Sequence, residues 1–337
     1  MLVRILLVSN MYPSRRRPEF GVFVAGIADG LRRRGHEVDE AVLRDDRHGT
    51  LRTPSKYALL AARALSMARR GRPDVVYAHY LVPTGLIGIA AAAAARVPLV
   101  VTAHGTDVAN ARRNPLLGML TRRVVARSAA VIAVSAYLAE RLPPGARRVE
   151  VIDCGVDTGL FTPAPRAGDG PPRYVFVGSL IERKNPRRVL EAFSRLDEGS
   201  LTVVGGGPLE QELRAAMRAN VRFLGRVAPE RVRDELAAAD VLVAPSLEEP
   251  QGQQVLEALA SGRPVVATRV GGPAELVDER CGVLVDPLDV AAIAEGMRAA
   301  AMLPVPCAAA VEVAKAHARD VQVARIESLL EDVVKRR

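Results

Sequence analysis

The chain has no tryptophan, only 4% aromatic residues and only three cysteines in 337 residues. Single-stranded and looped nucleic acids are held by stacking bases on aromatic faces, and no aromatic-basic interleaving occurs here, so nucleic acid is disfavoured as a partner. Cys154, Cys281 and Cys307 are widely spaced and odd in number. That fits neither a disulfide framework nor a zinc cluster, and it points to a reducing compartment. The longest apolar run, Leu81 to Ala95, contains Pro83 and stops at Arg96. It falls short of the roughly 20 strongly apolar residues a spanning helix needs. The opening MLVRILLVSN turns polar too soon for a signal peptide and reads as a buried first strand. A cytoplasmic protein is expected. The GxGxxG fingerprint is missing as well, which disfavours dinucleotide binding.

What is present is apolar and basic. Hydrophobic residues make up 49% of the chain, enough for two domains with full cores. The net charge of +9 favours anionic partners such as nucleotide phosphates or lipid headgroups.

Apolar strands alternate with helices from the first residue, which predicts α/β architecture with parallel sheets. Strands are expected at Val3–Ser9, Val38–Leu43, Asp74–Ala78, Leu99–Thr102 and Ala130–Val134. Helices are expected near Pro54–Arg70, Thr84–Ala95, Pro115–Ser128 and Ala136–Leu142. A Pro- and Gly-rich stretch, FTPAPRAGDGPP, marks a domain boundary, and a second series of strands starts with Tyr174–Val177 and Leu201–Val204. The expected division is a domain over 1–155, a linker over 156–172, a second domain over 173–305 and a helical tail over 306–337.

The stretch around 240–276 is the most informative. An apolar run, Val241 to Ala244, breaks at Pro245-Ser246 into a short acidic loop, a helix begins near Gln253, and a second apolar run ends in Gly271-Gly272. Strand, loop, helix, strand, loop is the order read here. In a parallel sheet such loops gather at the carboxyl ends of the strands, where helix starts offer unpaired N–H groups to an anion. Glu249 falls in the loop and Glu257 about one turn into the helix. A carboxylate accepts two hydroxyl hydrogen bonds at once, which suits a diol; equally, two such charges at a helix start favour the macrodipole with no ligand at all.

Other strand ends carry candidates of the same kind. The loop from Asn10 to Gly21 is long for a first βα connection, contains Arg15 to Arg17, and closes on a glycine where a helix opens. His79 follows the third strand, and His104-Gly-Thr-Asp107 follows the fourth. A lone histidine there serves either a ligand or the core rim. Lys184 precedes a helix start, where its ammonium suits phosphate or simply faces water. Gly205-Gly206-Gly207-Pro208 reads either as a nucleotide edge or as a tight turn. Over Asn110–Arg127, the arginines 112, 113, 122, 123 and 127 alternate with apolar residues at helical spacing. Such a helix rests on an anionic membrane surface or packs with one solvated face.

The pattern PS-x-x-E-x-x-G-x-x-x-x-E-A-x-A-x-G-x-PVVAT-x-x-GG resembles the family-four retaining glycosyltransferases. YPS…GVFV…LRRRGHEV, HGTD, VGSLIERKN and the Gly-Gly-Pro element resemble further motifs of that family in its order. The resemblance implies a GT-B fold, two Rossmann-like doubly wound domains facing a cleft, with the final helix packing back on the first domain. It implies Glu249 and His104 at the donor sugar and reaction centre, and Glu257 on the nucleotide ribose. Gly21, Ser179, Lys184, Gly206, Gly271 and Gly272 are implied around the donor. His79 and Asp107, by their place after the third and fourth strands, are expected to line the acceptor side.

Two positions depart from the family pattern. Ser179 stands where the family has an arginine of the diphosphate clamp, so a second charge must come from Arg183 or the Arg15–Arg17 loop. Cys154 stands where it has asparagine. The activity implied is transfer of a hexose-type sugar from a UDP- or GDP-sugar to an acceptor glycan, lipid-linked sugar or small molecule. Such a protein could lie on the inner face of the plasma membrane. No Asp-x-Asp motif is present, so neither metal nor cofactor is expected. A silent nucleotide-sugar-binding subunit and a GT-B-like epimerase are the alternatives.

Overall fold

A computed structural model describes residues 1–14, 17, 20–44, 53–215 and 219–336. Two compact units divide the chain, one of Met1–Cys154 with Arg319–Arg337, the other of Gly155–Ala318. The stretch 156–172, expected as a linker, belongs to the second unit, because Val156 and Phe161 are buried in its core. The tail also divides. Helix Ala308–Ala316 stays with the second unit, and helix Arg319–Lys335 joins the first.

The first unit holds β1 (Arg4–Ser9), β2 (Glu37–Val42), β3 (Val75–His79), β4 (Leu99–Ala103), β5 (Ala130–Ala133) and β6 (Val149–Val151), all parallel in the order β2-β1-β3-β4-β5-β6. Side chains alternate between the faces of a strand, and the two cores follow that period. Leu6, Val8, Val76, Ala78, Val101 and Val131 pack under helices Thr53–Arg70 and Leu86–Ala95. Ile5, Leu7, Val75, Tyr77, Val100 and Ile132 pack under helices Val22–Arg33 and Arg319–Lys335. Those last two helices approach closely, since a Cβ at Gly30 would lie 2.8 Å from a Val323 methyl.

The second unit repeats the plan with β7 (Arg173–Val177), β8 (Ser200–Val204), β9 (Val221–Gly225), β10 (Val241–Ala244), β11 (Val265–Thr268) and β12 (Gly282–Val285), ordered β12-β11-β10-β7-β8-β9. In each sheet the chain builds outward from its first strand, then returns to that strand's other side. The reversal falls between β1 and β3 in one unit and between β7 and β10 in the other. Ligands of open α/β sheets bind at the carboxyl ends beside such reversals.

Candidate functional site

In the second unit, the loops that leave β7 and β10 converge at the reversal. Asn185, buried and left-handed at φ 61°, donates to Pro245 O at 2.9 Å and Pro287 O at 2.7 Å, tying the first loop to the second. Leu247 N donates to Arg183 O at 2.8 Å from the other side. Held in this way, Lys184 Nζ pairs with Glu249 Oε2 and lies 3.3 Å from Gln254 Oε1.

Glu249 is buried at 6% exposure. Its Oε2 also accepts from Gln254 Nε2 at 3.1 Å and Ser246 Oγ at 3.3 Å. Its Oε1 lies 3.9 Å from the Arg183 guanidinium, which donates to Glu248 O at 2.8 Å. Burial alone would raise this carboxyl, but the Lys184 charge and hydrogen bond, then Arg183 and Gln254, outweigh it and hold it below the ordinary carboxylate range. The group is therefore an anion with one oxygen saturated by donors.

Gly271 makes the arrangement possible. Its φ is 112°, and a Cβ there would sit 2.0 Å from Glu249 O. The glycine pair was expected to turn N–H groups toward donor phosphates. The Gly272 N–H is instead bonded to Glu249 O at 2.8 Å, so it fixes the loop. The N–H groups of Gln253 and Gln254, at the start of helix Gln253–Ala260, have no acceptor among the described residues and can serve an anion.

Glu257 is half-buried in the second turn of that helix. Ser179 is exposed on the loop after β7. Gly206 lies in the loop after β8, against Arg226 and Glu210, and at neighbouring Gly205 a Cβ would meet Gly178 O at 1.9 Å. The contacts of Gln254 and Ser246 with Glu249 were not foreseen. A polar residue on the buried side of a helix start was the available signal for Gln254.

In the first unit, His79, His104, Asp107 and Gly21 gather at the ends of β3, β4 and the β1 loop. His79 Nδ1 lies 3.1 Å from His104 Nε2, and the rings stack at 5.3 Å between centroids. His104 Nδ1 lies 3.8 Å from Cys154 Sγ. His79 is fully buried and its Nε2 has no partner among the described residues. Burial, then the neighbouring His104, pushes His79 well below the usual imidazole range, and burial takes His104 down to about 3. Both rings are neutral at physiological pH. Burial likewise pushes the Cys154 thiol up.

Asp107, expected on the acceptor side, works on the backbone. Its carboxylate accepts from Leu81 N at 2.9 Å, Gly105 N at 2.9 Å, Val108 N at 3.0 Å and His104 N at 3.2 Å. It thus joins the loops after β3 and β4 and sets both histidines. Tyr80, between them in sequence, is held at φ 73° and ψ 137°, costly for a residue with a Cβ. Thr84 Oγ1 restrains it by donating to His79 O at 2.6 Å. Gly21 caps helix Val22–Arg33 in the left-handed region at φ 72°, with no room for a Cβ against the Met11 carbonyl. Arg15 and Arg16 lie outside the described residues.

Two family models match the chain, Glycosyltransferase Family 4 over residues 20–160 and Glycosyl transferases group 1 over residues 171–301. Glycogen synthase of Mycobacterium tuberculosis (strain ATCC 25618 / H37Rv) is 31% identical over 262 residues, 71% of this chain and 63% of its own length. The chain thus spans less than two thirds of that relative. Among solved structures, sucrose-phosphate synthase from Thermosynechococcus elongatus superposes with a TM-score of 0.82 at 20% identity, over 99% of this chain and 100% of that one. Anabaena Alr3699/HepE in complex with UDP-glucose gives 0.78 at 22% identity, over 98% and 100%. The chain belongs to the family-four glycosyltransferases of GT-B fold.

Proposed function

We propose that the chain transfers a hexose-type sugar from a UDP- or GDP-sugar to an acceptor hydroxyl, with retention at the anomeric carbon and without a resident metal. The observation that carries this reading is the Lys184–Glu249–Gln254 cluster, its carboxylate and amide buried, at the β7/β10 reversal. Kinship with glycogen synthase and likeness to a fold solved with UDP-glucose support it.

Chemically, Glu249 is an acceptor whose Oε2 is occupied by Lys184, Gln254 and Ser246, leaving Oε1 for sugar hydroxyls. Negative charge develops on the diphosphate as it leaves, and preorganised positive groups lower that barrier. Lys184 and Arg183 supply the charge, with the N–H groups that open helix Gln253–Ala260. Arg183 fills the place left by Ser179. Glu249 is tied down by cation and amide, so it positions the sugar and is a poor nucleophile. Front-face attack assisted by the leaving phosphate fits retention with these residues. Glu257 binds the ribose diol, and neutral His104 hydrogen-bonds the sugar.

The test is incubation of the metal-free protein with a panel of nucleotide sugars, following thermal shift and release of UDP or GDP. Selective stabilisation with slow release supports the transferase. Stabilisation without release favours a silent binding subunit, the reading that the exposed Ser179 suggests. No shift with any donor overturns the nucleotide-sugar reading.

A further inference from the structure

Helix Pro115–Arg127 carries a face that the core does not use. It buries Gly118, Thr121, Val124 and Val125. Leu116, Met119, Arg123 and Arg127, at i, i+3, i+7 and i+11, lie on its exposed side. Leu116 and Met119 keep 59% and 52% of their surface and stand one turn apart, so they form one exposed apolar patch. Asn114 caps the helix by accepting from Leu116 N at 3.0 Å and Leu117 N at 3.2 Å, so the apolar pair sits on a fixed helix start.

The charge around this face is positive save for Glu140, which lies 3.7 Å from the Arg141 guanidinium. From 108 to 148 the sequence holds eight arginines and a single acid, Glu140. Arg112, Arg113, Arg122, Arg123 and Arg127 are exposed, with no acidic partner among the described residues. Beside the helix, Arg112, Arg122 and Arg141 line a cavity of about 440 Å³ walled by Pro115, Pro143 and Pro144. Arg141 is set in place, with its guanidinium 3.5 Å from the Tyr137 ring centroid and a bond to Tyr137 O at 3.0 Å.

We propose that this face docks on an anionic phospholipid bilayer. A headgroup phosphate seats among Arg112, Arg122 and Arg141, Leu116 and Met119 enter the boundary between headgroups and acyl chains, and Arg123 and Arg127 meet neighbouring headgroups. Guanidinium forks match phosphate oxygens, and unpaired arginines beside exposed apolar side chains are the composition of an interfacial helix. A nucleic acid offers no apolar layer to receive Leu116 and Met119. The surface lies wholly in the first unit and is independent of the donor reading.

The test is co-sedimentation of the full chain with vesicles of phosphatidylcholine alone or mixed with phosphatidylglycerol, no nucleotide sugar being present. Binding is expected on the mixed vesicles only, and it weakens as salt is raised. Arg123→Gln with Arg127→Gln, and separately Arg112→Gln with Arg122→Gln, should each lower partitioning, by about fivefold per arginine. Leu116→Ser with Met119→Ser should lower it at unchanged charge. These side chains are exposed, so unfolding midpoints should match the parent and binding losses report on the surface. Equal binding to both vesicle types, or none to either, overturns the proposal. So does anionic binding that ignores Leu116→Ser with Met119→Ser, which would describe a general polyanion surface.

Discussion

Lys184 and the buried Glu249, 65 residues apart in sequence, form an ion pair that closes the gap between the ends of β7 and β10. Removing Lys184 takes the main counter-charge from a carboxylate that is 6% exposed. Lys184→Ala should cost about 3–5 kcal/mol of stability, the usual result of leaving a buried charge unpaired. A thermal or denaturant melt checks this. Glu249→Gln should cost less, since its amide still accepts one bond from the ammonium.

Glu249→Ala should also reduce turnover by roughly 10²–10³-fold or more, as loss of a preorganised transition-state contact does. Donor hydrolysis or transfer, measured beside nucleotide affinity, separates the effects. An Ala variant with unchanged kcat would remove Glu249 from the reaction centre.

For Glu257 the opposite split is expected. Glu257→Ala should weaken UDP or GDP binding by about 10- to 100-fold, the worth of a charge-assisted hydrogen bond, with kcat nearly intact. Calorimetric titration of the nucleotide gives the number.

Gly271→Ala forces a Cβ to within 2.0 Å of Glu249 O at a φ of 112°. The loop must move, and Glu249 moves with it. Stability should fall by about 1–3 kcal/mol and turnover should fall with it, whereas Ala at exposed Gly170, which lies outside the left-handed region and meets nothing within 4 Å, should leave both unchanged.

The paired histidines make the first unit acid-sensitive. Both have folded values lowered from the ordinary 6.5, His104 to about 3. The unfolded chain therefore binds more protons than the native one between those limits. Stability is full above pH 6.5 and falls as pH drops below it, by up to about 1.4 kcal/mol per pH unit for each ring. Denaturant melts from pH 7.5 down to about 4.5 should show the slope, and His79→Asn should flatten it.

Much of this was legible because parallel sheets write themselves as short apolar runs ending in Gly, Pro or acidic loops. The runs at β1, β3, β4, β7, β8, β10 and β11 stand out for that reason. β6 did not, since three residues with half-exposed ends, VEV, carry no pattern beyond chance. β12 escaped because GVLV is short and opens on glycine. Glu249, Lys184 and His104 were visible through motif and spacing. Their contacts with Gln254, Ser246 and Cys154 were not, because each meets its neighbour only through packing that no local period records. The linker read over 156–172 misled through composition: its Pro- and Gly-rich stretch is exposed, but Val156 and Phe161 ahead of it are anchored in the second core.

Asp107 spends its carboxylate on four backbone N–H groups, from Leu81, His104, Gly105 and Val108. A scan of acidic residues for loss of activity would therefore score it as strongly as Glu249, although it never has to touch a substrate. Activity loss ranks residues by how far their removal spreads, and at this position the spread is architectural. Asn in its place keeps an acceptor oxygen and would recover part of the function. At Glu249, where the charge itself is used, the same amide exchange would not.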